Sequence, residues 1–329
     1  MNRISALVLS SSSFLVVLLA MSGCHLSTRK PANPDVPEAK PLMADSVSIP
    51  SAHALLAVNR LFLTNGMLVA YEGLKDTLFS FWELPTVKHL YNAGLKGNGP
   101  NDFRQLERNF PQAPDGFYTF DMMTNTIKKM SCDANGDFRV SSTKRLDTPQ
   151  MPLNRFLFLA DSTYCFLSND EKYEYTMMDK HGSRNFSEYP TTLSETKDED
   201  IQFLYNKLLV ARPDGKRFAA FYAYTKLLRI YNADGKLLHE LVMQPKPRLS
   251  AEGDRVAYYS KYPWATNDFI YALTSDDGKQ YLEVFSWDAD FVARYQLNCP
   301  IDVFCVSEKQ GVVYALDNDK ECLLIYSLF

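Results

Sequence analysis

Six short turn sequences recur along this chain at nearly even spacing. They are Thr64-Asn65-Gly66, Pro114-Asp115-Gly116, Ala160-Asp161-Ser162, Pro213-Asp214-Gly215, Thr266-Asn267-Asp268 and Lys309-Gln310-Gly311. Their last residues are 50, 46, 53, 53 and 43 positions apart. Gly, Asn and Asp supply the positive φ that tight hairpins need. A period of about 40–50 residues is that of propeller blades. Each turn is followed by a β-branched or aromatic run, such as Met67 to Glu72 or Phe218 to Ala223, and then by a second one, such as Leu78 to Trp82 or Leu227 to Tyr231. A second turn comes next, clearest in Asp133-Ala134-Asn135-Gly136 and Asn232-Ala233-Asp234-Gly235, and an outer strand closes each of the first five units. The sixth unit stops at Phe329 without one, while Ser46 to Pro50 is a lone strand-like piece before the first unit. Ring closure explains both: the N-terminal piece completes the last blade and removes the open sheet edges. The expected fold is therefore all-β, a six-bladed β-propeller of four-stranded blades over residues 46–329. A β-sandwich of similar length predicts neither the period nor the missing strand.

The N-terminus constrains location. A basic start (Arg3) leads into an apolar stretch from Ala6 to Ala20 and ends in Met21-Ser22-Gly23-Cys24. That pattern is an export signal over residues 1–23 rather than a spanning helix, which needs roughly 20 predominantly apolar residues. The cysteine after small residues resembles the bacterial lipobox, with Met21 where Leu is usual. The resemblance implies cleavage before Cys24 and lipidation (palmitate and the diacylglycerol) of its thiol. Each buried methylene contributes about 0.8 kcal/mol, so a diacyl anchor holds the membrane without a transmembrane helix. Residues 24–45 carry Pro31, Pro34, Pro37 and Pro41 and few large apolar side chains. Such a stretch is expected to be a lipidated, disordered stalk. His25, not an aspartate, directly follows Cys24 and no acidic run comes after it, so the expected placement is the outer membrane, facing the periplasm.

The segment Gly97-Asn98-Gly99-Pro100-Asn101-Asp102-Phe103 resembles the G-x-G-P-x-[ED]-F signature of TolB-like six-bladed β-propeller lipoproteins of gut-type Gram-negative bacteria. Asp102 stands where Glu is more common. The resemblance implies the propeller fold and says little of function, which fold alone does not give. Gly97, Gly99, Pro100 and Phe103 read as a structural turn between blades one and two. No Lys-Ser or Lys-Thr follows at phosphate-loop spacing.

Catalytic motifs are missing from the sequence: it has no GxSxG elbow, no HExxH and no EF-hand loop. No cofactor and no metal site is expected. The acidic pairs Asp170-Glu171 and Asp276-Asp277 fall in tight connections, where carboxylates are ordinarily solvated. The net charge is −4, or −5 once the leader with its one arginine is gone, so nothing favours nucleic acid. Five cysteines remain after Cys24 (Cys132, Cys165, Cys299, Cys305 and Cys322), an odd number without CxxC. Most sit in apolar runs, where a thiol serves as a small hydrophobe, and Cys299 and Cys305 are near enough in sequence to pair.

The Gly/Asp turns put short, uniform connections on one face of a propeller and leave long, dissimilar loops to the other, where function concentrates. A channel mouth on the loop-rich face is the expected ligand site. The starts of the inner strands nominate Arg104, Arg155, Tyr205, Tyr258 and Asp302 there, with Asn206 and Tyr259 beside them. The rings of Tyr258-Tyr259-Ser260-Lys261-Tyr262-Pro263-Trp264 offer a platform for a sugar or peptide, or else pack between blades. The expected role is a lipid-anchored envelope protein that binds or scaffolds a peptide, protein or glycan. The alternative is a hydrolase or lyase at the channel mouth, which needs two carboxylates and a basic group converging there.

Overall fold

The computed structural model describes residues 28–29, 35–148, 153–190, 200–320 and 322–328. The leader and Cys24 lie outside them. Six antiparallel sheets follow one another along the chain and form a ring, a six-bladed β-propeller. Blade 1 runs through Arg60–Thr64, Met67–Tyr71, Thr77–Glu83 and Lys88–Leu95, each strand pairing with the next. Blade 4 repeats the plan with Lys207–Ala211, Arg217–Tyr222, Lys226–Asn232 and Leu237–Gln244.

The strand sequences follow from the packing. A blade's middle strands are covered on both faces by neighbouring blades, so they read as continuous apolar runs rather than alternating ones. All of Met67–Tyr71 is buried, whereas the outer strand Phe138–Arg145 is largely exposed. Aromatic rings fill the seams. Phe62, Phe79, Phe110 and Phe117 interlock between blades 1 and 2, with Phe62 and Phe117 centred 4.9 Å apart. The hairpin turns do what their composition predicts: Asn65 and Gly66 both take positive φ (47° and 75°), the tight type I′ geometry that matches strand twist.

The ring closes as the missing strand implies. Ala44–Ser48 pairs antiparallel with Cys322–Ser327, Ser48 opposite Cys322 and Ala44 opposite Tyr326, as the outer strand of blade 6. The preceding residues correct the sequence reading. Ala39–Leu42 adds a fifth strand to blade 5, parallel to Phe291–Leu297. Thr28–Arg29 likewise pairs with the outer strand of blade 4. Residues 39–45, expected within the stalk, therefore belong to the propeller. Its prolines and few large apolar side chains read as a stalk, but an edge strand tolerates the N–H that Pro41 lacks, and Leu42 is buried among the residues of blades 5 and 6. Asn298 binds the junction: its N–H donates to the Leu42 carbonyl (3.2 Å) and its Oδ1 accepts from the Ala44 N–H (3.1 Å). Residues 39–48 thus strap blade 5 to blade 6.

All five described cysteines are free thiols. Cys165 and Cys305 are fully buried, and burial pushes both thiols well above their ordinary pKa.

Candidate functional site

The central channel opens on the loop-rich face into a cavity of about 920 Å³. Its walls come from the starts of inner strands (Asn59, Asn206), the connection between blades 1 and 2 (Lys96, Arg104 to Arg108), the lead-in to blade 3 (Asn154, Arg155) and Tyr262. The volume lies at the upper end of the usual range for ligand pockets.

The family-like motif lies behind one wall, between the wall residues Lys96 and Arg104. Asp102 Oδ2 accepts from the Gly99 N–H at 2.7 Å, closing the turn on itself. A Cβ on Gly97 or Gly99 would stand 2.4 or 2.7 Å from that carboxylate, which is why both positions are glycine. Phe103 is the anchor, fully buried with its ring edge-on to Phe79. Lys128 seals the turn through the Pro100 and Asp102 carbonyls, its ammonium 4.7 Å from the Phe103 ring centre. The turn is structural, and its product is the placement of Arg104, whose N–H donates to the buried Asp121 carboxylate at 2.7 Å.

Tyr262 forms the floor. Its hydroxyl donates to Glu107 Oε1 (3.0 Å) and accepts from Arg155 Nη1. Glu107, almost wholly buried, also takes the backbone N–H groups of Arg108 (2.8 Å) and Phe156 (3.4 Å). Beneath, Arg60 donates to the Tyr262 and Pro263 carbonyls (3.2 and 2.8 Å). Burial lowers its pKa to about 10, which leaves it charged at neutral pH. Burial first, then Glu107, pushes the Tyr262 phenol up to about 12. Arg155 is held in the left-handed region at φ 57°, a conformation that costs a non-glycine residue about 1–2 kcal/mol.

The outcome is cationic. The guanidinium centres of Arg155, Arg108 and Arg60 lie 5.1, 5.5 and 5.7 Å from the centre of the Tyr262 ring. Among the described residues, Arg60, Arg104, Arg108 and Arg155 make no salt bridge, and Glu107 is the one carboxylate on the cavity wall. Two unit charges about 8 Å apart repel by about 2 kcal/mol at an effective dielectric near 20.

The other nominated residues do not reach this wall. Tyr205 caps the short helix Ile201–Leu204 and is buried, its ring against Tyr189 and Tyr222. Tyr258 lies under the Arg248 guanidinium at 4.8 Å, and Tyr259 is buried against Phe221 with its hydroxyl on Glu283 (3.0 Å). Asp302 accepts from Lys261 (2.6 Å) and the Asn318 N–H (3.0 Å). Burial raises its pKa, yet these partners hold the carboxyl below its ordinary value. Arg104, Arg155 and Asn206 do wall the cavity. Sequence reasoning missed Arg108 and Glu107, and offered Tyr262 only as one ring of the Tyr258 to Trp264 platform. The signal available was the concentration of charge in Arg104-Gln105-Leu106-Glu107-Arg108 directly after the Phe103 anchor.

A second, smaller cavity of about 510 Å³ opens on the turn face, walled by Phe62, Phe110, Phe158 and Trp264 with Asp268, Glu308 and Lys309. Arg60, Tyr262 and Trp264 stand between the two openings. Glu308 Oε1 accepts from Thr266 Oγ1 (2.5 Å) and the Tyr271 hydroxyl (3.1 Å).

A sealed polar cluster joins blades 3 and 4. Glu174, fully buried, accepts from Lys207, Arg229 (2.8 Å) and the Tyr222 hydroxyl (2.7 Å). Burial pushes the Lys207 pKa down. Among the described residues no group of three His, Cys, Asp or Glu could hold a metal ion, and no helix is long and apolar enough to cross a membrane.

Six blades closed by an N-terminal strand, around a channel with one loop-rich cationic mouth, define a propeller of the closed-ring kind. The chain belongs to the TolB-like family of six-bladed propeller-like proteins, whose profile matches residues 59–309. No curated protein matches it. Among solved structures it is similar to a protein from Bacteroides fragilis described as exported, with a TM-score of 0.55 and 12% identity over 91% of this chain and 98% of that one. It is also similar to a member of the DUF4221 family from Bacteroides vulgatus, with a TM-score of 0.56 and 12% identity over 87% and 97% of the two chains. At that identity the likeness speaks to the fold alone.

Proposed function

We propose that this protein is a lipid-anchored propeller of the outer membrane, facing the periplasm, that binds a peptide, protein or glycan at its loop-rich mouth without transforming it. The observation that carries the reading is the cavity of about 920 Å³ on whose wall Arg155 is held to Tyr262, and Tyr262 to the buried Glu107, by hydrogen bonds. A concave site with a few fixed polar groups is the ordinary form of a binding pocket. The single wall carboxylate has both oxygens engaged, which suits a positioning part better than an acid or base. Hydrolysis or lyase chemistry finds its nearest support at the turn-face opening, where Asp268 and Glu308 share a wall with Arg212 and Lys309. The envelope placement rests on the lipobox at Cys24 and agrees with the export ascribed to the Bacteroides fragilis relative.

Two measurements test this. A thermal-shift screen of peptides and glycans, followed by crosslinking of any hit, should label residues near Arg104, Arg155 and Tyr262. Label at the Gly136, Gly182 and Gly235 turns would overturn the choice of face. Cys24→Ser, which removes the thiol that takes the lipid, should abolish incorporation of labelled palmitate and release the protein from membranes. Retained label would overturn the anchor.

A further inference from the structure

We infer that the loop-rich mouth is an oxyanion site: the group recognised on the ligand is a carboxylate or a phosphate. The inference rests on the reading of that mouth as the binding site and supplies its chemistry. On the wall of the mouth the guanidinium centres of Arg108 and Arg155 lie 5.5 and 5.1 Å from one phenol ring, while Arg60, 5.7 Å from it, is buried beneath and faces the turn-face cavity. Arg104 and Lys96 add two more cations to the same wall. The chain as a whole is acidic, at −4, so this concentration of positive charge is local and opposes the general balance. Elsewhere on the molecule basic side chains are commonly matched with carboxylates, as Lys261 with Asp302 or Arg217 with Asp288. At the mouth the one carboxylate, Glu107, orients Tyr262 and leaves the guanidinium forks of Arg104 and Arg108 without an acid among the described residues.

The same contacts argue against a neutral sugar platform. The rings that might stack on a pyranose carry guanidinium groups instead: Tyr262 those of Arg60, Arg108 and Arg155, Tyr258 that of Arg248. The arginine fork fits the planar carboxylate and the phosphate edge with two parallel hydrogen bonds. Arg155 keeps a left-handed backbone while its head group meets Tyr262, which fixes one fork before any ligand arrives.

The test is titration calorimetry of the full chain at low ionic strength with citrate and, separately, inorganic phosphate. Binding is expected, weakening as salt is raised, and each guanidinium removed should cost about tenfold or more in affinity. The variants are Arg108→Gln and Arg155→Gln. Arg104→Gln joins them because the Arg104 side chain is exposed, and its urea midpoint is expected to match that of the parent chain. Tighter binding of citrate assigns a carboxylate, and tighter binding of phosphate a phosphate ester. Absence of binding by either anion, or binding unchanged in all three variants, overturns the proposal. A neutral oligosaccharide that crosslinks to Tyr262 and binds the variants as well as the wild type would also overturn it, while leaving the mouth as the binding site.

Discussion

Glu174→Gln tests how blades 3 and 4 are joined. Glu174 is fully buried and Lys207 is 3% exposed, and the two form an ion pair across the seam. Arg229 keeps a second partner when Glu174 is neutralised, since Glu240 accepts from its Nε and Nη2 at 2.8 Å each. Lys207 keeps no second carboxylate among the described residues: its remaining neighbours there are the rings of Tyr175, Tyr189 and Tyr222, about 5 Å away. Breaking one side of a buried pair costs about 3–5 kcal/mol because the other charge is left uncompensated. Urea unfolding followed by tryptophan fluorescence at pH 7 should show a loss of that size. The pH dependence has a definite sign. Burial already lowers the Lys207 pKa, and losing Glu174 lowers it further. Between that depressed value and the ordinary lysine value of about 10.4 the unfolded chain binds more protons than the folded one, so stability rises with pH. The parent's stability rises with pH for the same reason, so the deficit of the variant should shrink only as pH climbs through the window between the variant's Lys207 pKa and the parent's, and stay level above it. Adding Lys207→Met should recover most of the loss at pH 7, because it removes the orphaned charge. A deficit below about 1 kcal/mol, or no recovery in the double variant, would refute the reasoning.

Three further outcomes are expected. Deleting residues 25–38 should leave the urea midpoint near that of the parent chain, whereas deleting 25–48 should lower stability by roughly 3–5 kcal/mol, as blade 6 loses the ladder hydrogen bonds of Ala44–Ser48; equal midpoints would count against closure by that strand. Phe103→Ala should cost about 3–5 kcal/mol by emptying a fully buried site beside Phe79, measured by the same unfolding curves. Tyr262→Phe should cost about 1–3 kcal/mol, since it removes the hydroxyl between buried Glu107 and Arg155; a melting curve identical to wild type would show that this link holds nothing.

Much of the fold could be read before any coordinates, because a blade repeat writes its turns into the sequence at fixed intervals. Gly66, Gly116, Gly215 and Gly311 mark inner hairpins, and the unfilled place in blade 6 pointed to the N-terminal strand. The site was legible only in part. Arg104 and Arg155 follow from lying just before or at the start of a blade, but Tyr205 occupies a similar place and is turned into the core by the helix Ile201–Leu204. Four residues are enough for that reversal and too few to leave a periodic signal. Tyr262 reaches the channel because the lead-in to blade 5 crosses toward Arg60, a tertiary contact with no local trace. The strap of residues 39–42 escaped for a different reason. Composition described its prolines correctly, and an edge strand needs hydrogen bonds on one side only.

The closing strand also sets a schedule. Ser48 pairs with Cys322 and Ala44 with Tyr326, so among the first residues of the propeller to be made are partnered by some of the last. At about 5–20 residues per second, the roughly 270 residues between them take about 15–55 s to synthesise. During that interval five blades can stack while Ala44–Ser48 lies without its ladder partner and the ring stays open. Only when Cys322–Ser327 arrives can Ala44–Ser48 take its place on the ladder and join the two ends of the ring.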